Sequence, residues 1–337
     1  MARTKSAGGP LAVFGTVRSL VSILREMSFD DIKREAERAP RLLVVGPNAE
    51  AASGLGQSLT GEIRAGTVMT HAANDLPRDL GLFDAAVVHD PTGTGATDRV
   101  REQLGERDDN GPVFRFEGAN AGDQRGLEEL RLKVMQRLPD RAPAFGRAFP
   151  AFRPSAAKAT IDEAAKANAQ FALVSNIPAV VPFVGGLVAA SADFLVLTKN
   201  QVMLLYKVAA IHGRSLDDQF GIIREMVPVV GAGLAWRTVA REIAAFIPFA
   251  AGTVPKVAVA YAGTLAAGRG ADYYYRFGHK PDPAQIKGYY QQAADRVRSL
   301  PFIPDAIPAG SESTPPPERS PASSGDNMPD QPTAPVA

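Results

Sequence analysis

The chain has 337 residues, enough for two domains and a tail, and its 37 basic and 36 acidic residues leave a formal net charge of +1. That balance provides no broad cationic footprint, so no nucleic-acid partner is expected. There is no cysteine, which excludes disulfides and thiolate metal sites. His71, His89, His212 and His279 stand too far apart for the i, i+4 pair of a zinc helix, so no metal centre is expected.

In residues 1–39, Val13, Phe14, Val17, Leu20, Val21 and Leu24 recur at helical spacing with Arg18 and Arg25 off the stripe. Arg18 interrupts the apolar stretch and no small-residue cleavage site follows, so this is an amphipathic helix and not a secretory signal. It packs on the protein itself or, alternatively, lies on a membrane surface. Ser28 and Asp31 then cap a second helix.

Residues 40–140 alternate strand and helix patterns. Strands are predicted at 42–46, around 63–69, at 82–89 and at 112–117, and helices at 50–59, 95–105 and 125–138. This order predicts an α/β domain with a mostly parallel sheet covered on both faces. Gly46, Asp90 and Asn120 then fall at the carboxyl ends of strands, where such sheets bind ligands.

Leu42–Val45 ending at Gly46 and followed by a helical stretch is the setting of the phosphate loop G-x-x-x-x-G-K-S/T. Aligned from Gly46, the final serine falls on Ser53, but Ala51 replaces the second glycine and Ala52 the phosphate-binding lysine. Asn120-Ala121-Gly122-Asp123 is similar to the guanine-reading N-K-x-D, with Ala121 in place of lysine. Asp90-Pro91-Thr92-Gly93 fits the magnesium-positioning D-x-x-G. Alternatively, Leu82–Asp90 is simply the next strand and the magnesium segment has been deleted. The region thus resembles a truncated Ras-like GTPase, with Gly46, Ser53, Asn120 and Asp123 as its vestigial nucleotide site. No cofactor is expected, and GTP or GDP is the alternative ligand.

Residues 141–154, with three prolines, read as a linker. Residues 155–300 are rich in Ala, Val and Gly, and from Ala167 to Ala192 none is charged. Prolines and glycines interrupt the apolar runs at Pro182, Gly185 and Gly186, at Pro228, Gly231 and Gly233, and at Pro248 and Gly252. These phrases are expected to turn short hydrophobic helical hairpins, giving an all-α domain that forms a soluble bundle or inserts partly into a bilayer. Ser191–Ile211 is expected to be one helix with Asp193, Asn200 and Lys207 on a common face, most simply a solvated one. Residues 301–337, rich in Pro and Ser, are expected to be disordered.

Ala172–Pro178, Ala192-Asp193, Leu197–Gln201, Tyr206–Gly213, Tyr261–Thr264 and Gly268 together resemble the bacterial family called domain of unknown function 697, over most of 165–276. Members often follow a Ras-like GTPase domain in the same chain, and relatives are described as inner-membrane proteins. Phe29–Gly46 also resembles the entry segment of those GTPase partners. The resemblance implies a GTPase-linked role at the inner face of a bacterial cytoplasmic membrane. Together with the altered phosphate loop, it predicts a non-catalytic scaffold or adaptor with an unidentified protein partner.

Overall fold

The structure is a computed structural model that describes residues 29–106, 111–174, 185–230 and 253–297. These all belong to one compact unit. The expected N-terminal amphipathic stripe and the Pro/Ser-rich tail lie outside the described residues. Helix α1 (Asp30–Glu37) begins at Phe29 without a side-chain cap, so Asp31 does not cap it, and Ser28 lies outside the described residues.

The α/β layer follows the predicted alternation. Strands β1 (Arg41–Gly46), β2 (Thr67–Ala72), β3 (Ala85–His89) and β4 (Val113–Phe116) are joined by helices α2 (Ala49–Thr60) and α3 (Ala96–Gln103), and α4 (Gln124–Arg137) follows β4. All pairings are parallel, in the order β2-β1-β3-β4. The unbroken apolar runs of β1 and β3 suit strands buried on both faces. Their alternate residues feed two different cores. Leu42, Val44, Ala85 and Val87 pack towards Leu55, Leu59, Leu127 and Val134. Leu43, Val45, Ala86 and Val88 pack towards Ala96, Val100 and Leu80, so that face is covered by α3 and by the connection before β3.

The segment expected to be a linker is instead structural. A 3-10 turn at Pro139–Arg141, helix α5 (Ala142–Ala148) and a second 3-10 turn at Pro150–Phe152 lead directly into helix α6 (Arg153–Val174). Its prolines sit in the first positions of these turns, where a missing N–H costs nothing, so they start helices here and do not break the chain. Phe145, Phe149 and Phe152 are fully buried with ring centroids 5.3–6.0 Å apart. A Cβ on Gly66 would meet the Phe149 ring at 2.4 Å, and one on Gly146 would meet Ile211 at 2.7 Å. Nearby Arg141 reaches Asp84 at 2.9 Å and the backbone oxygens of Glu35 and Arg38 at 3.0 Å, tying α1, the sheet and α5 together.

The helical layer contains α6, α7 (Gly185–Ile211), α8 (Gln219–Val230), α9 (Thr253–Phe277) and α10 (Pro283–Val297). The expectation of short hairpins is corrected: α6, α7 and α9 are 22, 27 and 25 residues long. Gly185 and Gly186 open α7, and Pro228 lies in the last turn of α8, so none of the three forms a turn. Glycine is tolerated at a helix start, where the first amides have no intrahelical partner. Pro182, Gly231, Gly233, Pro248 and Gly252 lie outside the described residues. Among the described residues, no helix is long and apolar enough to cross a membrane.

Candidate functional site

In the order β2-β1-β3-β4 the chain leaves β1 for one side of the sheet and returns to the other. The carboxyl ends of β1 and β3 therefore flank a switch point, the ordinary location of a ligand crevice in such sheets. Gly46, Asp90 and Asn120 all reach this end, as the sequence predicted.

At β1 only Pro47 and Asn48 separate the strand from α2. Asn48 is the N-cap: its side chain accepts from the Ala51 amide at 2.8 Å, and its carbonyl accepts from the Ala52 amide at 3.0 Å. A phosphate loop needs a longer turn whose amides converge on the anion. Here the positions that would form it are already helical, and both amides are engaged by Asn48. Gly46 is required by packing, since a Cβ there would meet the Ala52 nitrogen at 2.6 Å. Ala52 is fully buried, so a lysine at that position could not reach a phosphate without disrupting the core. Ser53 is half-buried inside α2, one full turn beyond the first residue of that helix.

Asp90 follows β3 and is 3 % exposed. Its carboxylate accepts from the Thr94 amide at 2.7 Å, the Thr94 hydroxyl at 2.9 Å, and more distantly the Thr97 amide and hydroxyl. Burial alone would raise its pKa. The bonds from Thr94 and Thr97, with Arg115 nearby, outweigh that effect and hold it below the usual aspartate value. The residue therefore organises its own Asp90–Thr97 loop, and both of its oxygens are engaged there.

Asn120 and Asp123 are also turn-makers. Asn120 Oδ1 accepts from the Gly122 amide at 2.8 Å, and Asp123 caps α4 by accepting from the Gly126 amide at 3.0 Å. Sequence reasoning missed His89 at the end of β3. Its Nε2 lies 2.9 Å from the Gly118 carbonyl, while Nδ1 is enclosed without a hydrogen-bond partner. Its one signal was a polar residue ending an apolar strand. Beside this end, the β4 edge carries a cleft of about 460 Å3 that includes Arg101, Arg115, Lys133 and Arg137. Its cations are partly compensated: Arg101 pairs with Asp98 at 3.1 Å, and Arg115 lies 3.6 Å from Glu117.

Of the helical residues singled out from sequence, Asn200 is not on a purely solvated face. It donates to Asn168 Oδ1 at 2.7 Å, and Asn168 donates to Thr264 Oγ1 at 2.9 Å. Thr264 in turn donates to the Ala260 carbonyl. Asn168 and Thr264 are fully buried, so α6, α7 and α9 are joined by a satisfied polar relay. Lys207 is half-buried, and the Asp193 side chain lies outside the described residues. Towards the other end of α7, His212 Nε2 lies 2.8 Å from Asp272 and its ring stacks on Tyr275. Among the described residues, no three His, Asp or Glu side chains converge to hold a metal.

Compared with protein-family models, curated proteins and solved structures, the chain matches none.

Proposed function

We propose that this protein is a non-catalytic, GTPase-like scaffold or adaptor. Its α/β layer would present a surface to a protein partner, and its helical layer would locate it at the inner face of a bacterial cytoplasmic membrane. The observation that carries the non-catalytic part is the Asn48 cap. It takes the amides that a phosphate loop would aim at a nucleotide, and Ala52 is sealed in the core. The membrane part is supported by the uncharged run from Ala167 to Ala192.

A second reading, an NTPase with an atypical phosphate loop, is favoured by one observation: the β1/β3 switch point lies where ligands bind in sheets of this order. Isothermal titration of the full chain with GTP and GDP separates the two. The scaffold reading expects no saturable heat, and saturable binding weakened by Asp123→Ala would replace it with the NTPase reading. Cell fractionation with carbonate and detergent extraction tests location. Recovery of the full chain in the soluble fraction without detergent would end the membrane part.

A further inference from the structure

Helices α6, α9 and α10 enclose a second cleft, of about 260 Å3, whose lining is cationic. Arg269, Asp272, Tyr273 and Arg276 recur at i, i+3, i+4 and i+7 in α9 and so share the face that borders it. Lys158 and Asp162 stand one turn apart on α6, and Tyr289 completes the lining from α10.

The carboxylates of this cleft are already committed. Asp162 accepts from Lys158 at 2.7 Å on one oxygen and from Arg296 at 3.3 Å on the other. Asp272 lies 2.8 Å from His212 Nε2, and Arg276 stands 3.7 Å from its second oxygen, beyond hydrogen-bond range. Arg269 has no carboxylate partner among the described residues. It donates to the neutral Gln292 side chain and lies over the Tyr289 ring, 5.9 Å from the centroid. Two carboxylates therefore serve four cations, Lys158, Arg269, Arg276 and Arg296, and a surplus of positive charge remains in a partly enclosed space. An arginine fork matches the oxygens of a phosphate, and the hydroxyls of Tyr273 and Tyr289 add further donors. A phosphate has enough oxygens and charge to engage two arginines, where a carboxylate has two oxygens and a single charge. Phe277, one turn beyond Tyr273, is 54 % exposed and packs on that ring with centroids 4.5 Å apart. It gives the organic portion of a ligand an apolar surface beside the cations.

We propose that the cleft between α6, α9 and α10 binds the phosphate group of a phosphate ester, held by Arg269 and Arg276 with Lys158 adding charge. The site is distinct from the strand ends of the α/β layer and does not depend on the scaffold or membrane readings. A soluble ester and a phospholipid headgroup carry the same group, so the chemistry is common to both sources.

Phosphorus NMR titration of the full chain with inorganic phosphate and with glycerol phosphate tests the site. Flotation with phosphatidylcholine vesicles, with and without phosphatidylglycerol, separates the two sources. Saturable binding is expected in at least one arm, weakened about ten-fold by Arg269→Gln or Arg276→Gln. Lys287→Gln, which removes an exposed charge of α10 outside the cleft, should leave it unchanged. Arg269→Lys keeps the cation without the fork and should bind between the parent and Arg269→Gln, which guards against a glutamine variant that merely loses stability. Dependence on Arg269 in the titration assigns a soluble ester, and dependence confined to flotation with phosphatidylglycerol assigns a lipid headgroup. Absence of binding in both arms, or an equal loss in Lys287→Gln and Arg269→Gln, overturns the proposal.

Discussion

The two layers use polar side chains in opposite ways. In the α/β layer, Asn48, Asp90, Asn120 and Asp123 each satisfy amides within seven residues of themselves, shaping the loop they stand in. In the helical layer, Asn168 bonds to Asn200 and Thr264, 32 and 96 residues away. The first pattern builds a rigid rim at the carboxyl ends of the strands, and the second fixes the alignment of three long helices. Chemistry that resembles a ligand site can therefore be exhausted by turn formation, while one residue of a seemingly solvated stripe, Asn200, helps to hold the bundle together.

The sharpest way to break this division is at the junction. Phe149→Ala removes a fully buried ring from a three-ring cluster and should cost about 3–5 kcal/mol. Because Phe149 shares one core with both layers, hydrogen exchange at β1 and at α9 should accelerate together. Acceleration confined to one layer would mean that the layers unfold independently.

The helical relay comes next. Asn168→Ala leaves Thr264 its bond to Ala260 but strips the partner from half-buried Asn200, and a loss of about 1–3 kcal/mol is expected in urea unfolding. The double-mutant cycle with Asn200→Ala should show coupling above about 0.5 kcal/mol. Additive losses would mean that the two side chains do not act as a pair.

These long-range partners also mark the limit of what the sequence made legible. Four strands, three helices and the parallel character of the sheet could be read because apolar runs such as Leu42–Val45, alternating with helical stretches, are local signals. The junction could not. Proline punctuates loops and also opens helices, and only the packing of Phe145, Phe149 and Phe152 decides between the two. Nor does any local pattern announce that Arg141 will meet Asp84, 57 residues upstream. At the candidate site, residue types and strand-end positions were readable, but their occupation by capping bonds was not. Whether Asn48 leaves four loop residues or begins a helix at once is a matter of backbone geometry.

Breaking the Asn48 cap sharpens that last point. Asn48→Ala should cost about 1 kcal/mol, and Asn48→Ser less, because serine restores the acceptor. If the cap is purely structural, neither change alters the heat measured with GTP. Gain of nucleotide binding in Asn48→Ala would show that the cap masks a working anion site, and would favour the NTPase reading.

The smallest expected effect concerns pH. Asp90 has its folded pKa held below the unfolded value of about 4, so it contributes stability at neutral pH that is lost as pH falls through the folded value. Asp90→Asn lacks the charge and offers one acceptor oxygen where the carboxylate offers two, so it is less stable than the parent at pH 7. The difference between the two proteins should shrink steadily as urea unfolding is repeated from pH 5 towards pH 2 (about three units of acidification). A difference that stays constant over that window would mean that the Thr94 and Thr97 bonds do not depend on the carboxylate charge. The Asp90 loop would then be held by its backbone alone.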